Sequence, residues 1–275
     1  MRVRLWGTRG SVASPGPDTV RYGGNTACVE VRTDGALLVL DAGTGIRPLG
    51  VSLRGFDGRI DLLLTHLHLD HLQGIGFFEP MFGTDAEVHI WGPPSTTLSL
   101  RERLSRYLSP PLFPVRLREL GSNVTLHDVP HRPFTIGDVT VRGEPIIHPG
   151  PTLGYRIGNG AGSLAYLPDH EPALGAPRFP IDAAWTSGHG LAAGADLLIH
   201  DTQYTPDEYP RKVGWGHSSW EHTWAFARQA EARTLVTFHH DPSHADDALD
   251  AIVAELAARE GPAVLAGTEG LELSL

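Results

Sequence analysis

The segment Leu62-Leu-Leu-Thr-His66-Leu-His68-Leu-Asp70-His71 ends an apolar run with four potential metal ligands in six residues. Such a cluster at a strand end sits on a loop beyond the sheet, where side chains can converge. Imidazoles with a carboxylate suit a borderline divalent ion such as Zn²⁺, Mn²⁺ or Fe²⁺. Four ligands exceed what one open catalytic ion needs, which points to two ions sharing the loop. Two ions about 3.5–4 Å apart can share a hydroxide at neutral pH and clamp a substrate oxygen, which is the chemistry of hydrolysis. The bland alternative is a His-rich surface loop, but this spacing rarely arises without a mechanism.

Composition agrees with a hydrolytic centre and narrows its setting. The chain has 275 residues, which suits one large domain, taken as residues 1–275, and 41% of them are hydrophobic, enough for a sizeable core. Fifteen histidines stand out; imidazole as metal ligand or proton carrier explains them better than surface charge does. The single cysteine, Cys28, forbids an intrachain disulfide and a thiolate-built zinc site, and reads as a small buried hydrophobe. With 22 Lys+Arg against 32 Asp+Glu the formal net charge is −10, which disfavours nucleic acid as a partner. No apolar run approaches the roughly 20 residues of a membrane span, and Met1-Arg-Val-Arg-Leu-Trp6 lacks a secretory signal. A cytoplasmic protein acting on a small molecule is expected.

The elements that must position the cluster are mostly strands. Apolar runs predict them at 3–6, 27–32, 37–41, 60–65, 88–91, 124–129, 139–147, 153–157, 163–167, 197–200 and 234–238. Gly158-Asn159-Gly160 reads as a hairpin turn. Helical spacing predicts helices over 96–108, 218–230 and 246–259, the last with Leu249, Ile252, Val253 and Leu256 on one face. A mostly β first half followed by mixed strands and helices fits two sheets packed face to face with helices outside. Pro110, Pro111 and Pro114 forbid a continuous helix over 103–114, which reads as a lid or an ordinary connecting loop.

His66-x-His68-x-Asp70-His71 is similar to the signature of the metallo-β-lactamase superfamily, and Leu40-Asp41-Ala-Gly-Thr-Gly45 resembles that superfamily's strand-turn. The resemblance covers nearly the whole chain and implies an α/β fold, an αββα sandwich of two mixed sheets flanked by helices. It implies two divalent ions, zinc first, with Mn or Fe as alternatives. His66, His68 and His148 would hold one ion, Asp70, His71 and His239 the second, and Asp169 would bridge them. His148, Asp169 and His239 each follow an apolar strand, so each can reach the same edge of the sandwich. His240 follows directly and leaves the last ligand open, with His239 preferred as the first after its strand. A homodimer is also implied.

Ala195-Asp-Leu-Leu-Ile-His-Asp201-Thr and Gly216-His217-Ser218-Ser219 resemble elements of the RNase Z and phosphodiesterase branch, as does the Gly-rich opening Trp6-Gly-Thr-Arg-Gly-Ser11 with Asn25. Carried over, His217 would protonate the leaving oxygen and Asp201 would orient it. Ser218 is also placed to cap the following helix, with Glu221 at its third position. No basic, Gly-rich arm for tRNA is visible, so a small phosphodiester such as a cyclic nucleotide is favoured. The resemblance extends to a bacterial group with Tyr22-Gly-Gly-Asn-Thr26, Asp169-His-Glu171 and His239-His-Asp-Pro242. Arg9 and Ser11 could contact phosphate, although Arg9 fits a structural ion pair equally well. Tyr204, Tyr209, Trp215 and Trp220 read as packing aromatics before base-stacking ones, and His170 and Glu171 as groups that fix Asp169. Competing functions are a lactonase or thioesterase on the same site, a di-iron redox protein, and a regulatory protein with a degenerate site.

Overall fold

The computed structural model describes residues 1–83, 85–120, 123–174, 176, 179–180 and 182–275, with Asn123 described through its backbone. Seven strands form the first sheet: β1 (Arg2–Gly7), β2 (Cys28–Arg32), β3 (Leu37–Leu40), β4 (Arg59–Leu63), β5 (Glu87–Gly92), β6 (Asn123–Asp128) and β14 (Glu272–Ser274). Their order is β14-β1-β2-β3-β4-β5-β6. β3 to β6 run parallel, and β14, β1, β2 and β3 pair antiparallel. The second sheet holds β7 (Phe134–Ile136), β8 (Val139–Pro145), β9 (Leu153–Gly158), β10 (Ser163–Leu167), β11 (Leu197–Asp201), β12 (Thr234–Phe238) and β13 (Ala263–Leu265), in the order β13-β12-β11-β10-β9-β8-β7. β7 to β10 pair antiparallel and β10 to β13 run parallel.

Strands buried on both faces need apolar residues at nearly every position, which is why runs such as Leu37-Leu-Val-Leu40 lack polar alternation. Successive side chains still point to opposite faces. Leu38 and Leu40 join Leu63, Tyr155, Tyr166, Ile199 and Phe238 in the core between the sheets. Val39 turns outward to Leu62, Val88 and Ile90 under α1 (Ile46–Ser52) and α2 (Leu100–Tyr107). On the other side Ala165, Leu198 and Leu235 pack against α3 (His189–Ala192) and α4 (Trp220–Gln229). Leu249, Ile252 and Leu256 of α5 (Asp246–Ala257) close on Tyr22. The result is the expected sandwich of two mixed sheets with helices outside.

The differences from expectation are local. α2 starts only at Leu100, because Ser99 forms a capping box with Glu102, and it stops at Tyr107 ahead of the prolines. The helix expected from Ser218 is capped instead by Ser219, whose hydroxyl accepts from His222 N at 3.2 Å. Ser218 is drawn inward, donating its hydroxyl to His170 O at 2.6 Å and its N–H to Asp201 at 3.1 Å. No helix among the described residues is long and apolar enough to cross a membrane.

Candidate metal centre

The parallel strands of both sheets deliver polar residues from their C-terminal ends to one edge, the usual place for a site in α/β sheets. β3 leads to Asp41, β4 to Thr65 and the His66–His71 loop, β10 to Asp169, β11 to Asp201 and β12 to His239. His148 arrives from the turn after β8. Three groups converge, each offering ligand atoms within 4.8 Å of one another: His66, His68, His148 and Asp169; Asp70, His71, Asp169 and His239; and the smaller set Asp201, His217 and His239. Asp169 belongs to the first two. Its Oδ2 lies 3.7 Å from His66 Nε2 and 3.7 Å from His148 Nε2, and its Oδ1 lies 2.9 Å from His71 Nε2 and 3.3 Å from His239 Nε2. Asp70 Oδ2 sits 3.2 Å from His239 Nε2, and His68 Nδ1 sits 3.1 Å from His148 Nε2.

Each of four imidazoles is anchored by its far nitrogen. His71 Nδ1 donates to Asp41 (2.9 Å), His148 Nδ1 to Gly216 O (2.8 Å) and His239 Nδ1 to Gln203 Oε1 (2.9 Å). The Thr65 hydroxyl gives its proton to Asp41, so at 3.0 Å it must accept from His66 Nδ1. In the neutral imidazole each of these contacts keeps the proton on Nδ1 and turns Nε2 inward as the ligand atom, the arrangement that orients metal-ligating histidines; on His71 a bound ion would take the place of the second proton. His66 Nε2 is buried with no hydrogen-bond partner, a cost of roughly 1–3 kcal/mol unless something binds it. Ser11, at φ 61°, gives its backbone N–H to Asp70 Oδ2 at 2.8 Å.

The electrostatics favour a cation. Burial pushes His148 down to about 4 and holds His66 and His68 below their ordinary values, so these imidazoles are neutral at neutral pH, as ligands must be. Burial alone would raise Asp70 and Asp169, yet their His neighbours keep both well below the usual carboxylate range. Burial alone would lower His71, yet Asp169, Asp70 and Asp41 hold a proton on it. A divalent ion answers the same negative charge more fully. The donor set therefore fits the divalent metal that the fold implies.

Beside this cluster His217 Nδ1 meets Asp201 Oδ2 at 2.7 Å. The His217 ring stacks on His239 at 4.9 Å and lies 5.0 Å from His148. Burial opposes charge on His217, but Asp201 outweighs it and raises its pKa.

Among the neighbouring residues, Glu171, His170 and Trp215 depart from expectation. Arg9 is fully buried and donates to the carbonyls of Gly23 (2.9 Å), Asp241 (3.2 Å) and His244 (2.7 Å); it ties the opening loop to the segment before α5 and is structural. Asn25 binds Glu269 through its N–H and its amide. Glu171 touches no ligand; it accepts from Tyr209 Oη (2.7 Å), Gly214 N (3.0 Å) and Gly216 N (2.9 Å), clamping the loop that carries His217. His170 pairs with His200 at 3.0 Å behind Asp201 and does not hold Asp169. His240 turns away to Gly267 O at 2.8 Å, which leaves His239 at the cluster. Tyr204, Tyr209 and Trp220 pack, whereas Trp215 is 56% exposed. Cys28 is buried and its thiol pushed up by that burial. Sequence reasoning gave no role to Thr65 or Gln203, although each directly follows or lies near an apolar strand end.

The family description "Beta-lactamase superfamily domain" matches residues 38–240. A ribonuclease Z of Myxococcus xanthus is 30% identical over 81% of this chain and 83% of its own length. The human short-form tRNase Z superposes with a TM-score of 0.70 at 20% identity, covering 100% of this chain and 99% of that one. A diphosphatase of the PhnP family superposes with a TM-score of 0.70 at 19% identity, covering 100% and 97%. At these identities the two structures speak for the fold. The ribonuclease relative counts against the expectation, drawn from net charge, that nucleic acid is no partner. The chain belongs to the metallo-β-lactamase superfamily of metal-dependent hydrolases, in its ribonuclease Z-like branch.

Proposed function

We propose that the protein is a dinuclear-metal phosphodiesterase acting on a small phosphodiester. The observation that carries this reading is His217, paired with Asp201 at 2.7 Å and stacked on His239 beside the two ligand groups. Lactone or thioester hydrolysis on the same site has less need of so placed an acid. His66, His68 and His148 with one oxygen of Asp169 would hold one ion, and Asp70, His71 and His239 with the other oxygen would hold the second. Zinc suits this nitrogen-rich set best. When bound, such ions supply Lewis acidity toward a phosphoryl oxygen and acidify water.

The chain's own residues do the rest. Asp41, Thr65, Gly216 and Gln203 hold the four anchored imidazoles in one tautomer and orientation. Asp201 holds Nδ1–H of His217 and favours its charged form, so that Nε2–H is available to the leaving oxygen. Asp201 also accepts from the N–H groups of His170 (3.2 Å), Gln203 (3.0 Å) and Ser218 (3.1 Å), which fixes the pair. The net charge of −10 supports a small substrate over a long polyanion, and the ribonuclease relative makes RNA the comparison to include.

The test is hydrolysis of bis(p-nitrophenyl) phosphate by protein stripped of metal and reloaded with Zn²⁺ or Mn²⁺, beside His217→Ala and with an RNA substrate in parallel. Metal-dependent turnover is expected, falling about 10²–10⁴-fold in the variant, the usual contribution of a general acid. No turnover with metals bound would overturn the reading, and faster cleavage of RNA would overturn its small-substrate part.

A further inference from the structure

We propose that a cavity beside the metal centre receives the part of the substrate that is not attacked, and that this part carries a second phosphate. The inference rests on the phosphodiesterase reading and adds a substrate class: a phosphodiester whose retained arm is an apolar or ring-bearing body ending in a further phosphate.

The cavity has a volume of about 530 Å³, within the usual range for small-molecule sites. His66 and His68 belong to its wall, so it is continuous with the ligand cluster. Leu98, Tyr107 and Leu112 supply apolar surface, and Leu112 stays 71% exposed. Such a wall suits a sugar and base or another ring better than water alone.

The same cavity is lined by Arg103 and Arg106, three residues apart on α2 and thus neighbours on one helix face. Arg103 is positioned by Nη2, which donates to Pro93 O at 2.6 Å and lies 3.8 Å from Asp128. Its Nε is buried and has no acceptor. Arg106 is exposed and makes no hydrogen bond or ion pair among the described residues. The nearby carboxylate of Glu102 is engaged by the backbone and hydroxyl of Ser99 (2.8 and 2.6 Å).

The helix that carries both groups is held at each end. Ser99 caps it, and Tyr107 Oη donates to Gln73 O at 2.7 Å, just beyond the His66–His71 loop. In a chain of net charge −10, two guanidinium groups facing one cavity, with Asp128 only at 3.8 Å from Arg103 and the Glu102 carboxylate near Arg106 held by Ser99, mark a place for an anion. Guanidinium donors match phosphate oxygens in geometry as well as charge.

The test compares thymidine 5′-(p-nitrophenyl phosphate) with its 3′-phosphorylated form, using metal-loaded wild type, Arg106→Ala and Arg106→Lys. Wild type is expected to prefer the 3′-phosphorylated ester by about tenfold in kcat/KM, the scale of one charge-assisted contact. Arg106→Ala brings that ratio to near one, and Arg106→Lys retains part of it. A wild type without preference, or a preference that survives Arg106→Ala, overturns the proposal. If neither ester is hydrolysed with metals bound, the phosphodiesterase reading has failed, and calorimetry decides the cavity separately. Thymidine 3′,5′-bisphosphate binding tighter than thymidine 5′-phosphate, with the difference lost in Arg106→Ala, supports it. Equal binding of the two overturns it.

Discussion

Replacing Asp41 with Asn exposes how far the centre depends on a residue that touches no ion. Asp41 adopts φ 61° at the end of β3, a conformation that Asn also tolerates, so the backbone is not strained by the change. Its carboxylate accepts from Thr65 N at 2.8 Å, from the hydroxyls of Thr65 (2.9 Å) and Tyr166 (3.0 Å), and from His71 Nδ1 at 2.9 Å. An amide must put NH₂ where one oxygen stood. The Thr65 N–H cannot turn, so the amide oxygen stays there and NH₂ faces the other three groups. The two hydroxyls can rotate to accept. His71 can accept at Nδ1 only by carrying its proton on Nε2, the atom 2.9 Å from Asp169 and 3.4 Å from Asp70. That proton blocks the ligand position. Metal affinity should fall about 10–100-fold, as it does when such outer partners are lost, and folding stability by roughly 1–3 kcal/mol. Chelator competition reads the first and urea unfolding of metal-free protein the second. A variant that binds metal as tightly as wild type would refute the tautomer argument.

Asp201→Asn removes the group that raises the pKa of His217. The acid form is then lost through a lower pKa, so the alkaline limb of the kcat/KM profile should move to lower pH; a limb that stays in place would contradict the assignment. Gly216→Ala puts a Cβ 2.3 Å from His148 Nδ1 at a position with φ +87°. The left-handed backbone alone costs about 1–2 kcal/mol for alanine, and the displaced imidazole should weaken metal binding, so that less metal survives dialysis than in wild type, as atomic absorption would register.

The site was legible where polar residues directly follow apolar strands. His66, Asp169, Asp201 and His239 obey that pattern because parallel strands bring their C-terminal ends to one edge, and His148 reaches the same edge from the turn after the antiparallel β8. Asp41 obeys it too, after Leu37–Leu40, and the same rule applied to it points to the site. Glu171 and Gln203 were harder to read, since their partners lie 43 and 36 residues away along the chain and no local spacing encodes such pairs. Ser218 and Ser219 offer adjacent hydroxyls, and only the inward pull of His170 O and Asp201 decides which one caps α4. The long strands were visible as apolar runs. β7, β13 and β14 have three residues each, too few to show a period, and they exist because a neighbour offers its edge. α1 contains Pro48 and Gly50, which hide it from propensity, but its Ile46 and Leu49 are held in the outer core.

The central claim is that these ligands hold two ions that make a phosphodiesterase. Its most direct measurement is bis(p-nitrophenyl) phosphate turnover as Zn²⁺ is titrated into metal-free protein, with bound metal counted at each step. The account predicts activity that rises with occupancy and levels off at two ions per chain. Turnover without metal, or none with two ions bound, would contradict it.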